Sequence, residues 1–147
     1  MIRTMTIDDY DMIYTLWMKI KGFAVRSIDD SKEGISRFLE RNPFTSVVAV
    51  EDGIVVGTIL CGHDGRRGCM YHVCVDPAYR LRGIGKKMVI YAMEKLRCEQ
   101  ISKVSLIAFT ENDLGNVFWK DIGWTEREDL NYYDFVLNIE NIEKIIE

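Results

Sequence analysis

The sequence VDPAYRLRGIGKKM, residues 75–88, joins an apolar run to an amphipathic helix through a proline, two glycines and several cationic side chains. A helix begins with unpaired N–H groups and a partial positive charge, and glycines at that point let an anion approach the backbone. Gly83 and Gly85 stand where the helix is predicted to start. We therefore predict a cradle for an anion here, best suited to a pyrophosphate. Four cationic side chains surround it: Arg80, Arg82, Lys86 and Lys87.

Two common nucleotide-binding loops do not fit this segment. A Walker loop continues after its lysine with Ser or Thr, whereas this chain continues with Lys87. A Rossmann fingerprint needs a third small residue where Met88 stands, and its strand lies in a parallel sheet. The alternative without any ligand is a glycine turn with exposed basic residues at the start of a helix.

The chain has 147 residues, 48% of them hydrophobic, which predicts one domain over residues 1–147 with a sizeable core. The net charge of −4 argues against a general nucleic-acid binder and is compatible with a cationic substrate such as an amine. No apolar run could cross a membrane and the N-terminus is too acidic for a signal peptide, so we expect a cytoplasmic protein without a membrane partner. The cysteines lack a CxxC pair and are predicted to be buried thiols: Cys61, Cys69, Cys74 and Cys98.

The centre of the chain is predicted to be an antiparallel meander. Two β-branched runs flank Asp52-Gly53, which is a hairpin signal, and residues 69–75 supply the next strand. Residues 130–138 are predicted to form the last strand, and residues 139–147 a short helix or tail.

Apolar residues at helical spacing predict four helices around this meander. The first follows Thr6, which is placed as an N-cap with Asp9 three residues on, and the second starts near Ser31. The third follows Gly85, and the fourth is closed by Gly123. Strands interleaved with helices in this order predict an α/β (α+β) fold.

Two motifs in this order resemble the GNAT superfamily of N-acetyltransferases. In residues 73–88 the positions of Arg80, Gly83 and Gly85 are similar to the acyl-CoA-binding signature of that family. Residues 61–75 further resemble a subgroup of small bacterial acetyltransferases. The resemblance implies a central, twisted, mixed but mostly antiparallel sheet flanked by helices. The second motif is similar to a downstream element of the family and comprises Asn112, Gly115, Phe118-Trp119 and Gly123-Trp124.

The resemblance implies acetyl-CoA as co-substrate and no metal. The pantetheine arm would pair with the strand of Val73, Cys74 and Val75, and an amide near Val75 would act as oxyanion donor. Asn112 would contact the pantetheine from the other side, and Gly115 would let its helix approach the coenzyme. The pyrophosphate would lie near Arg80 on the amides of Leu81, Arg82, Gly83, Ile84, Gly85 and Lys86, with Trp119 also at the coenzyme.

The implied reaction is direct attack of a primary amine on the thioester in a ternary complex. The attacking amine must be neutral, although its pKa is near 10, so a base or a proton relay is useful. The two positions where the family carries carboxylates hold Cys69 and Ile107 here. Strand alternation places Tyr71 on the face of Val73 and Val75, where it could hold a relay water. Glu111 and Asp64 are the other candidates.

Trp119 stands where the family often has a tyrosine that protonates the leaving thiolate. An indole N–H donates a hydrogen bond but does not give up its proton. A thiol pKa near 8.5 already makes the thiolate a good leaving group, so activity can survive this change at a lower rate. Tyr132 and Tyr133 are alternative donors.

The loop between the first two helices walls the acceptor site in the resembled family. Phe23, Arg26 and Asp30 are therefore the predicted acceptor-binding residues, with Asp30 available to pair with a substrate ammonium group. The acceptor is a small-molecule or peptide amine whose identity stays open, as does the acyl-chain preference. A homodimer is compatible with the resemblance.

Two other interpretations stay open. One is a GNAT-fold protein that binds acyl-CoA with weak or no catalysis and serves as a sensor or binding partner, because Trp119 and the missing carboxylates weaken the catalytic site. The other is a zinc site that needs one particular strand register. Its four ligands would be Cys61, His63, His72 and Cys74.

Overall fold

The computed structural model describes residues 1–147 as seven strands and four α-helices. Two short 3₁₀ turns, Ile7–Asp9 and Pro77–Tyr79, precede α1 and α3. The elements follow in chain order as β1 (Ile2–Thr4), α1 (Tyr10–Met18), β2 (Ala24–Arg26), α2 (Lys32–Arg41), β3 (Val47–Glu51), β4 (Ile54–His63), β5 (Gly68–Val75), α3 (Ile84–Cys98), β6 (Val104–Leu106), α4 (Asp113–Asp121) and β7 (Glu143–Ile145).

The main sheet has the strand order β1-β3-β4-β5-β6, with antiparallel pairs except for the parallel pair β5–β6. The parallel pairing joins only Gly68–Met70 to Val104–Leu106. Residues 71–75 therefore have a strand partner in β4 but none on their other side. The predicted α/β (α+β) fold with a mixed, mostly antiparallel sheet is confirmed, and the sheet contains a split between β5 and β6.

Helices cover both faces of this sheet. One hydrophobic cluster, the α1-side core, holds Ile13, Leu16 and Trp17 together with Leu60 of β4. The other, the α3-side core, lies on the opposite face of β4 and includes Ile59. The apolar stripe predicted for α1 is confirmed, because Ile13, Leu16 and Trp17 are its buried residues. In α3 the stripe is buried except for Met93, which is half-buried. No helix of the protein combines the length and apolar character that crossing a membrane requires.

Local sequence signals set the element boundaries as predicted. The Thr6 amide donates to Asp9 Oδ2 at 2.9 Å at the start of the 3₁₀ turn before α1, as the predicted pairing of these two residues requires. The Gly34 amide donates to Ser31 Oγ at 3.0 Å, so Ser31 is confirmed as the N-cap of α2. Asp52 and Gly53 both have positive φ, 51° and 76°, as a tight hairpin with matching strand twist requires.

A β-bulge in β5 overturns the prediction made from strand alternation. Leu60 pairs with Tyr71 and Thr58 pairs with Cys74, so two residues of β5 lie opposite one of β4, and His72 adopts a φ of 51°. The Tyr71 ring lies 6.1 Å from that of Phe38 on the α2 side. Val73 and Val75 instead pack against the α3-side core. Tyr71 therefore does not share their face.

The C-terminal predictions are wrong in both parts. Residues 130–138 form no strand, although their aromatic and β-branched composition favours one. Residues 143–145 form β7, which pairs antiparallel with β2, where a helix or tail was expected. Strand propensity produces a strand only where a neighbouring edge offers hydrogen bonds, and here only the later segment meets such an edge within the chain.

Candidate active site

The loop from β5 to α3 has an unusual backbone. Asp76 Oδ1 accepts from the Ala78 amide at 3.0 Å and caps the turn that follows β5. Leu81 has a φ of 65° with a fully exposed side chain, and Gly83, the N-cap of α3, has a φ of 78°. A positive φ is costly for leucine. Because the Leu81 side chain is exposed to solvent, its own packing does not explain this conformation.

The backbone amides from Leu81 to Lys86 all lack an acceptor within the protein. The first intrahelical bond at this end runs from the Lys87 amide to the Gly83 carbonyl at 3.1 Å. No backbone or side-chain oxygen accepts from the six amides before it. Successive free N–H groups at a helix N-terminus form a concave anion site that carries partial positive charge. The anion cradle predicted from the sequence is present in the backbone.

The cationic side chains around this loop divide into two groups. Arg80 Nε donates to the Val75 carbonyl at 3.1 Å and connects the end of β5 to the loop. The Arg82 guanidinium lies 5.0 Å above the Tyr79 ring. Lys86 and Lys87 are exposed and make no ion pair, so their charges are available to an anion at the start of α3.

Helix α4 packs against the first turn of α3. A Cβ added at Gly85 would lie 3.3 Å from the Phe118 ring, so this glycine allows α3 and α4 to approach each other closely. Asn112 caps α4, with its Oδ1 accepting from the Gly115 amide at 3.1 Å. The amide NH₂ of Asn112 makes no hydrogen bond within the protein and is free to donate to a ligand. A Cβ at Gly115 would collide with the Asn112 side chain, which gives this glycine a reason within the protein itself.

Sequence reasoning missed a histidine–carboxylate pair in which Asp30 is buried and His72 is half-buried. His72 Nε2 lies 2.7 Å from Asp30 Oδ1, and Asp30 Oδ2 accepts from the Arg26 amide at 2.6 Å. Trp17 and Phe23 flank the imidazole, with ring centroids 4.7 and 4.8 Å from it. The positive φ of His72 at the bulge is what turns it toward this pocket, and no pattern in the sequence shows that conformation.

The predicted acceptor-binding residues have partners within the protein. Asp30 is only 5% exposed and both of its oxygens are engaged, so it holds His72 and presents no free oxygen. Phe23 stacks on Trp17 with ring centroids 5.9 Å apart. Arg26 Nη1 donates to the Asn141 carbonyl at 2.7 Å, so its guanidinium is bound to the segment that leads into β7.

The predicted catalytic residues lie on different elements: Tyr71 on β5, Glu111 in the loop before α4 and Trp119 on α4. Partial burial raises the pKa of Tyr71, whose hydroxyl therefore stays protonated at neutral pH and suits a relay better than a base. Glu111 is exposed in the loop before α4 without a partner. Trp119 packs on Trp124, with ring centroids 4.8 Å apart. Asp64 caps the β4–β5 turn by accepting from the amides of the next two arginines.

The four residues considered as zinc ligands lie apart. Cys61 belongs to the α3-side core and Cys74 to the α1-side core, while His63 Nε2 meets Glu99 at 3.0 Å. Burial raises the pKa of Cys61 to about 12 and that of Cys74 to about 11, so both are neutral thiols. The prediction of buried thiols is confirmed for Cys61 and Cys74, whereas Cys69 is half-buried and Cys98 is exposed at the end of α3.

Comparison with known proteins agrees with this geometry. The acetyltransferase (GNAT) family model matches residues 10–124. An acetyltransferase of Sodalis glossinidius (strain morsitans) is 35% identical over 112 residues, which are 76% of this chain and 78% of that protein. The PaiA N-acetyltransferase of Thermoplasma acidophilum in complex with coenzyme A has a TM-score of 0.74 at 16% identity, covering 99% of this chain and 98% of that one.

A second solved structure has the same fold. The aminoglycoside N-acetyltransferase AAC(6')-Iy, in complex with a bisubstrate analogue, has a TM-score of 0.69 at 17% identity, covering 92% of this chain and 97% of that one. At such low identity the two solved structures show the fold alone, whereas the family model and the relative cover most of the chain. The resemblance of the two motifs is thereby confirmed, and the chain belongs to the GNAT family of acetyltransferases.

Proposed function

We propose that residues 1–147 act as one acetyl-CoA-dependent N-acetyltransferase domain that moves the acetyl group to a primary amine of a small molecule or peptide by direct attack in a ternary complex. Family membership makes the chain an N-acetyltransferase. The observation that supports the coenzyme is the row of free amides from Leu81 to Lys86, which opens beside the unpaired edge of β5. We infer the cytoplasm as its location, because all four thiols are free.

The residues around the split fit coenzyme A chemically. The free amides of the loop and Lys86 would hold the pyrophosphate, as helix N-termini hold phosphates generally. The backbone of Val73, Cys74 and Val75 would pair with the pantetheine arm as an added strand, with the Val75 carbonyl exchanging its bond from Arg80. The Asn112 amide would donate from the opposite wall. When bound, acetyl-CoA supplies the thioester that the amine attacks.

We propose His72 as the group that takes the proton from the attacking amine. With its Nε2–H donating to Asp30, the lone pair of Nδ1 has no partner in the protein and can accept a proton. Tyr71, the neighbouring residue of β5, stays a proposed relay through water, and Glu111 is the weaker candidate because nothing orients it. Trp119 would donate a hydrogen bond to the sulfur without protonating it.

Binding of CoA to matched variants tests the coenzyme site. Gly83 and Gly65 both have positive φ, 78° and 90°, and both have open space where a Cβ would be, so substitution strains the backbone similarly. We expect Gly83→Glu to weaken CoA binding at least tenfold by calorimetry, because a carboxylate then faces the pyrophosphate. Gly65→Glu, in the β4–β5 turn, should bind as the unmodified protein does. Equal binding by both variants would contradict the site.

Turnover separates the two remaining functional hypotheses. A library of small amines, aminoglycosides and peptides is incubated with acetyl-CoA, and released thiol is measured. Acetyl transfer that is lost in Gly83→Glu supports the enzyme. Tight binding of CoA without transfer to any amine would favour the alternative of an acyl-CoA-binding protein with weak or no catalysis, for which the replacement of the family tyrosine by Trp119 is the specific observation.

A further inference from the structure

The C-terminal segment, residues 140–146, is hydrogen-bonded to the loop between α1 and α2. Strand β7 pairs antiparallel with β2, and the pairing continues beyond both strands. The Gly22 amide donates to the Ile146 carbonyl at 2.7 Å, and the Ser27 amide donates to the Ile142 carbonyl at 3.0 Å. Ile146 is buried in the α1-side core. The loop is therefore held by the C-terminal segment along most of its length.

Asn141 makes the contacts at the far end of this loop. Its Oδ1 accepts from the amides of Ile28 and Asp29 at 3.0 and 3.1 Å, and its Nδ2 donates to Asp29 Oδ2 at 2.9 Å. Its backbone carbonyl accepts from Arg26 Nη1 at 2.7 Å. A side-chain amide can accept two N–H bonds through its oxygen and donate through its nitrogen at the same time, so the whole Asn141 side chain is used on this loop.

The loop held by Asn141 carries the carboxylate of Asp30. Asp30 directly follows the two residues whose amides donate to Asn141. It is 5% exposed, its Oδ2 accepts from the Arg26 amide at 2.6 Å, and its Oδ1 lies 2.7 Å from His72 Nε2. The place of this carboxylate therefore depends on the backbone that Asn141 holds.

The orientation of His72 depends in turn on Asp30. Asp30 Oδ1 is the only hydrogen-bond partner of the imidazole within the protein. Its other close neighbours are the rings of Trp17 and Phe23, which pack against it without a hydrogen bond. A ring with one polar partner turns with that partner, so the direction of the Nδ1 lone pair follows the carboxylate.

We infer that Asn141 is a positioning residue for His72. It holds the amides of Ile28 and Asp29, and these two residues fix the carboxylate of Asp30 that follows them. That carboxylate fixes the imidazole that takes the proton from the amine; only this last step rests on the proposed function. None of the hydrogen bonds of Asn141 reaches the loop from β5 to α3, so its loss should affect the amine step and leave CoA affinity unchanged.

The first test is a long-range ¹H–¹⁵N spectrum of the imidazoles, which reports the nitrogen that carries the proton. The chain has 2 histidines. The second one, His63, is an internal reference because its ring contacts Gly65 and Glu99 and not the C-terminal segment. We expect Asn141→Ala to move the signals of His72 and to leave those of His63 in place. Unmoved signals of His72, or equal movement of both histidines, would overturn the inference.

Asn138→Ala is the matched control for this spectrum. Asn138 is exposed in the same part of the chain, and its side chain accepts only from the Glu140 amide, at 3.0 Å. Because it makes no contact with the loop between α1 and α2, its variant should leave both histidines unmoved. Movement of the His72 signals in this control as large as in Asn141→Ala would count against a specific role of Asn141.

An exchange of side chains tests the contact itself. Asn141→Asp keeps the acceptor for the Ile28 amide but places a second carboxylate against Asp29, where the Asn141 nitrogen now lies 2.9 Å away. Adding Asp29→Asn restores a donor opposite an acceptor. We expect the signals of His72 to be displaced in Asn141→Asp and to return in the double variant. A double variant as displaced as the single one would contradict the inference.

Kinetics connects this geometry to the reaction. Small displacements of a reacting group can cost up to about 10²-fold in rate, so we expect Asn141→Ala to lower kcat about tenfold while the Kd for CoA stays the same. Equal losses in kcat and in CoA affinity would indicate general loosening and would overturn the inference. If the unmodified protein transfers acetyl to no amine, the proposed function fails, whereas the imidazole spectra still decide whether Asn141 positions His72.

Discussion

Replacing Asp30 tests the polar centre that holds His72. Asp30→Asn leaves one acceptor oxygen for two partners, the Arg26 amide at 2.6 Å and His72 Nε2 at 2.7 Å, and turns an NH₂ toward one of them. A buried donor that loses its acceptor lowers the free energy of unfolding by about 1–3 kcal/mol, and hydrogen bonds to charged groups contribute more than neutral ones. We therefore expect Asp30→Asn to lower the free energy of unfolding by ~2 kcal/mol.

The assay is urea unfolding followed by fluorescence, with Asp29→Asn as the matched control. Asp29 is the adjacent carboxylate, but it is exposed and its main partner is Asn141 Nδ2 at 2.9 Å. An exposed contact of this kind contributes about 0–1 kcal/mol. His72→Phe and the double variant complete a cycle, in which residues in contact usually show a coupling of about 0.5–3 kcal/mol. A cost for Asp30→Asn no greater than that for Asp29→Asn would refute the buried pair.

Three further predictions concern catalysis, acid stability and thiol reactivity. His72→Gln should lower kcat by about 10²–10⁴-fold while leaving CoA affinity unchanged. The lost activity should return at higher pH, because more of the amine substrate is then neutral. An unchanged pH–rate profile would point to another base. The Lys19 ammonium group beside Asp76 holds the pKa of that carboxyl below its usual value. The stability that this ion pair contributes is therefore present above about pH 4 and is lost as the pH falls toward the lowered pKa. In Lys19→Met this acid-dependent loss, followed by thermal melting between neutral and acid pH, should be smaller. Iodoacetamide should modify the exposed Cys98 fastest by mass spectrometry, whereas Cys61, whose pKa is raised to about 12 by burial, should react only on unfolding.

The parts of the fold that depend on neighbouring residues in the chain were predictable. The N-cap at Ser31 and the turn at Asp52-Gly53 need only local backbone geometry, and both are as predicted. The apolar stripe of α1 follows from helical periodicity, and its members are the buried residues. The two motifs around Gly83 and Asn112 belong to this class as well, because each is a short loop followed by a helix whose first turn it caps.

The sequence predicted the backbone cradle at the start of α3, but it did not predict the contacts that Asp30 and Arg26 make within the protein. Gly83 and the free amides behind it lie within one loop, so the chain order alone brings them together. Asp30 and His72 are 42 residues apart and meet only because of the bulge in β5. Arg26 was expected to be free for a substrate, but it is bound by Asn141, which is 115 residues away.

By itself, the amino-acid sequence determined the family, the four helices, the central antiparallel meander and the anion cradle at the start of α3, since these depend on side-chain periodicity and on the conformational freedom of a few glycines. Only the tertiary structure decided which face Tyr71 takes, which carboxylate holds His72 and where the C-terminal residues pair. A single bulge reverses the side-chain alternation of a strand, and a strand forms only against an edge that distant residues create. No pattern within the segments themselves contains that information.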